Sequence, residues 1–261
     1  MRKFLTAIAA IAGVILGAIL LSGCKAATQE KAKSALEKAQ NLAPSEAQMI
    51  EALKVALTDG AEGAAASLAK SGGFTKSAYK IPLPSEAAAI EKNIKLVPGG
   101  EKLAADTTER INLAAEAAAT KAAPIFAKAI KDMSVKDAAG ILRGGDNAAT
   151  EYLRAKTGGD LRAAFKPEIK SALNAPIALG VSAQSSWDTL TNAYNTTANS
   201  IVGKAAKLTP VKTSLEDFAL DKALDAMFSE VAKSEAEVRA DPLSSAKSVV
   251  RNVFSYAKTM K

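Results

Sequence analysis

The sequence has no histidine and a single cysteine, Cys24. The first absence removes the commonest general base and the commonest metal ligand together. The second excludes an intrachain disulfide, zinc sites of the Cys/His type and thiol redox motifs. Aromatic residues are only 5% of the 261, so a core must come mainly from aliphatic side chains. No dense Lys/Arg run with interleaved aromatics occurs, which argues against nucleic acid as a partner. Alternating β-branched runs are missing too, so little or no sheet is expected. No repeat of fixed period stands out.

What is present is alanine, about a fifth of the chain and well above usual composition. Alanine is the best helix former because it loses no side-chain entropy and buries no polar group. A core built from it is thin per residue, and its helices must approach closely. The 48% hydrophobic and 23% charged content suits a globular protein. The length fits one domain or two small ones. The net charge of +7 and pI near 9.3 are a mild basic bias. It favours anionic lipid or polymer surfaces.

The chain opens "MRKFLTAIAAIAGVILGAILLSGCKAATQ". Arg2 and Lys3 precede an apolar stretch from Phe4 to Leu21. That length falls between a signal-peptide core of about 7–15 residues and a spanning helix of about 20. A membrane-spanning anchor is one reading. The favoured one rests on Leu21-Ser22-Gly23-Cys24, which resembles the bacterial lipobox, where the cysteine takes a diacylglyceryl group. Residues 1–23 are then a lipoprotein signal peptide, 24–43 a lipidated tether and 44–261 a helical domain. Lys25 stands where lipoproteins retained in the inner membrane typically carry Asp, so the resemblance leans to the periplasmic face of the outer membrane.

The remainder reads almost wholly as helix, giving an all-α, bundle-like single domain. Residues 25–43 are polar and lysine-rich, a tether or a loose first helix. Pro44-Ser45 opens a helix with Met49, Ile50, Leu53, Ala56 and Leu57 on one face, and Gly72-Gly73 ends the stretch. In "YKIPLP", Pro82 and Pro84 bar helix. It reads as an extended strap laying Ile81 and Leu83 on the core. A short helix is expected from Ser85 to about Leu96. A long alanine-rich helix follows from about Glu101 to Met133, kinked at Pro124. Ser134 caps the next, short one. Pro167, Pro176 and Pro210 divide the segment from 165 to 210, where Trp187 and Tyr194 share an amphipathic helix. Ser214 caps a helix carrying Leu220, Leu224, Met227, Phe228, Val231 and Val238, ended by Asp241-Pro242. The last helix aligns Val249, Val250, Val253, Phe254 and Ala257.

Two Gly-Gly-Asp triplets, at 144–146 and 158–160, frame the helix carrying Tyr152, Arg154 and Lys156. Read as punctuation, Gly144 or Gly145 takes φ > 0 and Asp146 caps a helix over Asn147–Thr157. Gly158 or Gly159 and Asp160 then repeat the stop and the cap. A phosphate cradle would need a dinucleotide or P-loop pattern after a strand. A second reading makes the glycines a place of close approach. Asn112 and Glu116 lie four apart within a run of alanines, and a carboxylate there faces water or needs a partner. Arg143 or Arg154 would serve. Asn112, Glu116, Arg143, Asp146, Tyr152 and Arg154 are therefore the candidate ligand-binding residues, against a structural ion pair as the alternative.

"KIPLP", "AIKDMSVKDAAGILRGGDNAATEYLRAKT", "ALDAMF" and "VRADP" occur in that order. Together they resemble a bacterial family of exported proteins known only as a domain of unknown function, number 4197 in its series. The similarity covers about Ala47 to Phe254. The resemblance implies a mostly helical domain, often behind a signal or lipobox, and no established activity.

Ser67-x-x-Lys70 with Lys156-Thr157-Gly158 resembles elements of penicillin-binding enzymes, but the third element is missing and Lys-Thr-Gly ends a helix. Asp217, Asp221 and Asp225 recur every four residues. Asp217 suits the helix N-terminus in a Ser214-x-x-Asp217 box, and basic neighbours such as Lys222, Arg239 or Arg251 are expected to meet the other two, rather than a cation, since no Asp-x-Asp-x-Asp-Gly loop exists. No catalytic set, metal site or cofactor is expected. The chain reads as a non-enzymatic interaction or scaffold module of the cell envelope, held to the membrane by lipid on Cys24, with an envelope protein as possible partner. The alternative is a helical binding protein for a small apolar or anionic ligand.

Overall fold

A computed structural model describes residues 44–85, 100–176 and 180–259. The leader, Cys24, the tether and most of the helix expected over 85–96 lie outside the described residues. The described part is an all-α domain. No strand occurs among the described residues, and the one isolated bridge recorded there pairs Pro176 with Ser182.

Helix α1 (Glu46–Ala69) starts from a capping box in which Ser45 and Gln48 satisfy each other's backbone amides. Leu53, Leu57 and Leu68 are buried along it. Gly72 takes φ +88°, the left-handed conformation that glycine tolerates. Gly73 is a place of close approach, since a Cβ there would stand 2.3 Å from the Leu68 carbonyl oxygen. The strap follows as expected, with no regular element over 80–84. It buries Phe74 and Ile81 and half-buries Leu83.

Helix α2 (Gly100–Ala119) presents Ile111, Ala114, Ala115, Ala118 and Ala119 to the core. The expected single helix to Met133 is two helices. α2 stops at Ala119, and α3 (Ala122–Lys131) restarts after a turn at Thr120-Lys121. The cause is Pro124, whose ring clashes with a carbonyl four residues back, at Thr120. α4 (Val135–Arg143) begins with a Ser134/Asp137 capping box.

The largest departure is α5 (Ala148–Asn174), which runs unbroken through Gly158-Gly159 and Pro167. Those glycines do not stop it, and Asp160 caps nothing. Ala149, Leu153, Thr157, Leu161, Phe165, Ile169 and Leu173 are all buried. At 100° per residue, a stripe spaced by four advances about 40° each step and winds around the helix. Packing along this winding stripe outweighs the roughly 1 kcal/mol that each glycine costs a helix. Pro167 and Ala163, whose carbonyl it frees, both lie on the exposed face, where water can hydrate that oxygen.

α6 (Ala183–Asn199), the short α7 (Ile201–Ala205), α8 (Leu215–Ala240), a 3-10 turn at Pro242–Ser244 and α9 (Ser248–Thr259) complete the domain. α5 packs most extensively on α2 and α8, and also touches α3, α4 and α6. Phe126 and Phe228 meet edge to face at 6.0 Å within this core.

Candidate functional site

Asn112 and Glu116 do share one face of α2, and both are buried. Their partner is backbone. Asn112 Nδ2 donates to the Ile81 carbonyl at 2.8 Å, and the Ile81 amide donates back to Oδ1 at 2.8 Å. The carboxamide thus brackets Ile81 as a neighbouring strand would. Glu116 Oε1 accepts from the Phe74 amide (3.1 Å), the Thr75 amide (3.0 Å) and the Thr75 hydroxyl (3.1 Å). Together the two side chains latch the strap. No arginine takes part in these bonds. Arg154 instead stacks 4.4 Å over the Phe228 ring and faces Asp225 at 3.8 Å. Arg143 is exposed at the end of α4. The expected pairing of Glu116 with Arg143 or Arg154 is therefore replaced by strap amides.

Nor does Asp146 cap the next helix. The N-cap is Asn147, which makes no side-chain capping bond. The orphan amides of the first turn are met from 86 residues away. Glu235 on α8 accepts from the Ala149 amide (3.0 Å), the Thr150 amide (2.8 Å) and the Thr150 hydroxyl (2.7 Å). A carboxylate here also opposes the positive end of the helix dipole. Arg239, one turn on, binds Glu235 through Nη2 at 2.7 Å and donates to the Ile141 carbonyl at the end of α4 at 3.1 Å. One ion pair thus closes the end of α4 and the start of α5. Neither Gly144, at φ −73°, nor Gly145 takes the positive value expected of one of them. The role of Gly144 is close approach, since a Cβ would sit 2.5 Å from Ala148 Cβ. Sequence reading missed Glu235. The available signal was a carboxylate at core spacing between Val231 and Val238, with arginine four residues on.

The Asp217 amide donates to the Ser214 hydroxyl at 3.2 Å, while Asp221 and Asp225 meet α5 rather than Lys222, Arg239 or Arg251. Lys166 lies 3.6 Å from Glu216 and 3.8 Å from Asp217, Arg162 pairs with Asp221, and Arg154 faces Asp225. These pairs are largely exposed, so each contributes only about 0–1 kcal/mol.

Tyr152 leads to a different feature. It lines an open cleft of about 220 Å³ with Lys128 and Asp132 near the end of α3, Asp137 of α4, and Lys156 and Asp160 of α5. Lys156 Nζ stands 5.8 Å from the Tyr152 ring centre. Burial raises the Tyr152 pKa, and the charges of Asp137 and Asp132 add to the rise. The phenol is a hydrogen-bond donor at neutral pH. Asp137 is held below the usual carboxylate value, chiefly by the Ser134 hydroxyl and amide and further by Lys156 and Lys136. The cleft carries both signs of charge.

The family model described as "Protein of unknown function (DUF4197)" matches residues 43–255. The chain belongs to this family. No curated protein and no solved structure matches it. Within this DUF4197 domain the central stretch meets "ALDAMF" through Arg154 over the Phe228 ring. "KIPLP" reaches Asn112 through Ile81, and the junction at "RGGDN" is closed by Arg239 of "VRADP". Among the described residues no cluster of three His, Cys, Asp or Glu is placed to hold a metal ion, and no helix is long and apolar enough to cross a membrane.

Proposed function

We propose that this DUF4197 protein is a non-enzymatic module of the cell envelope, tethered by lipid on Cys24 and working through its folded surface. One observation carries the docking part of the reading. Among the described residues the two buried carboxylates, Glu116 and Glu235, are engaged with backbone amides and threonine hydroxyls, so they serve architecture rather than chemistry. The cleft around Tyr152 is one concave setting among the described residues that gathers side chains of both charges, and it is open to a visiting partner. The lipid tether rests on the lipobox-like Leu21-Ser22-Gly23-Cys24 alone.

A small-ligand reading is favoured by that same cleft, with a change of chemistry. An anionic ligand would meet three carboxylates, Asp132, Asp137 and Asp160, against two lysines. A ligand bearing both charges fits better, with the Tyr152 hydroxyl as a donor to it. The volume is below the roughly 300–1,000 Å³ of ordinary small-molecule pockets, so a compact group or a peptide side chain suits it.

Crosslinking in cells through a photoreactive residue at Lys156 should capture a discrete envelope partner that Tyr152→Ala abolishes. Recovery of nothing beyond what an unrelated lipoprotein gives would refute docking at this face. Cys24→Ala should release the protein from membranes, and retention would refute the lipid tether. A ligand-derived mass in native mass spectrometry, lost in Tyr152→Ala, would favour the small-ligand reading.

A further inference from the structure

The elbow between α6 and α7 displays apolar side chains that the fold could have buried or omitted. Ile201 is 89% exposed and Val202 76%. They sit in a segment with no acidic residue from 189 to 215, while Lys204, Lys207 and Lys212 follow closely and are exposed. Leu208 adds a third exposed apolar group.

This elbow is held in shape. Ser200 ends α6 through its amide, which donates to the Thr197 carbonyl, and begins α7 through its hydroxyl, which accepts from the Gly203 amide at 3.1 Å. Gly203 lies so close beneath that a Cβ would stand 2.1 Å from the Thr197 oxygen. Lys207 takes φ +55°, where glycine is the usual choice at a helix end. The return strand of the loop is tied down by Asn195, which brackets Val211 with bonds of 2.7 and 2.8 Å, and by Trp187 Nε1 donating to the Thr213 carbonyl at 3.0 Å. A braced turn therefore carries bare aliphatic groups at Ile201 and Val202, with exposed lysines following along the chain.

We propose that this tip contacts an anionic bilayer, with Ile201 and Val202 entering the interface while Lys204, Lys207 and Lys212 meet lipid phosphates. Apolar insertion and attraction to anionic headgroups add in such contacts. A protein partner fits less well. Specific protein interfaces need on the order of 1,000 Å² in good complementarity, and a five-residue helix with two bare aliphatic side chains offers little of that. A bilayer needs no matching shape. The contact is separate from the Tyr152 cleft and from any lipid on Cys24, and in a tethered protein it would fix which face looks away from the membrane.

The test uses the full chain reconstituted in vesicles, with hydrogen exchange read over residues 200–208. Three preparations are compared: equal parts phosphatidylglycerol and phosphatidylcholine, pure phosphatidylcholine, and detergent micelles. Exchange should slow about tenfold in the anionic vesicles relative to the other two. The doubly substituted Ile201→Asp/Val202→Asp chain should lose that protection, and so should Lys204→Glu/Lys207→Glu/Lys212→Glu, both carrying exposed changes that leave the core intact. Equal exchange in all three preparations would overturn the proposal. So would protection indifferent to lipid charge, or protection that appears only when envelope proteins are added.

Discussion

Glu116 and Glu235 occupy opposite kinds of place yet bind the same set of groups. Each accepts from two successive backbone amides and from the hydroxyl of the second residue, Phe74-Thr75 in one case and Ala149-Thr150 in the other. Glu116 closes a loop, the strap leaving α1. Glu235 closes a helix start, in trans, among Val231, Val238 and Phe254. Only Glu235 carries a cation, Arg239, in the bonds described. The difference shows two ways to satisfy a buried carboxylate. Amides and hydroxyls suffice where it ties down a loop. Where it also joins two helix ends, a guanidinium takes up its second face and serves the other helix.

The sharpest way to break this comparison is Arg239→Ala. Removing one partner of a buried pair typically costs about 3–5 kcal/mol, and here it also frees the Ile141 carbonyl. Denaturant unfolding should show a loss in that range. Next come the two Glu→Gln changes. Glutamine keeps an acceptor oxygen, so Glu116→Gln should cost about 1 kcal/mol. Glu235→Gln leaves Arg239 buried without its counter-charge and should cost about 2–3 kcal/mol more. Equal costs would mean that the guanidinium contributes nothing.

Gly158→Ala tests whether α5 is one helix beyond the clamp. Nothing lies within 4 Å of a Cβ built there. The substitution should stabilise by about 0.5–1 kcal/mol, readable as a raised Tm. Destabilisation would point to a break at that position. The smallest effect belongs to the ordinary cap in cis. Because the folded pKa of Asp137 lies below its unfolded value, its contribution is present above the unfolded pKa and is lost as pH falls through the lowered folded one. Asp137→Asn should remove that acid limb from a stability–pH curve and leave the alkaline side unchanged.

Much of the fold was legible because local rules and core packing agreed. The capping serines at 45, 134 and 214, the strap with Ile81 and Leu83, and the apolar face of α9 all follow from spacing and backbone chemistry. Gly158-Gly159 misled because glycine acts as a stop only when nothing larger opposes it. Here a stripe from Ala149 to Leu173 winds past several neighbours, and no straight face betrays it. The site was partly legible. Asn112 and Glu116 stood out as a polar pair among alanines, but backbone amides carry no residue type, so their partners could not be read. Glu235 escaped for the same reason. Its closest partners besides Arg239 are amides and a hydroxyl at the start of a helix 86 residues away.

Hydrogen exchange at four amides tests the central claim most directly. First-turn helix amides have no intrahelical partner and ordinarily exchange fast. Ala149 and Thr150, bonded to Glu235, should be protected in the native protein. Glu235→Gln should speed their exchange while leaving Phe74 and Thr75 unchanged, and Glu116→Gln should do the reverse. Rapid exchange at Ala149 and Thr150 in the native protein, or exchange there unaffected by Glu235→Gln, would contradict that claim.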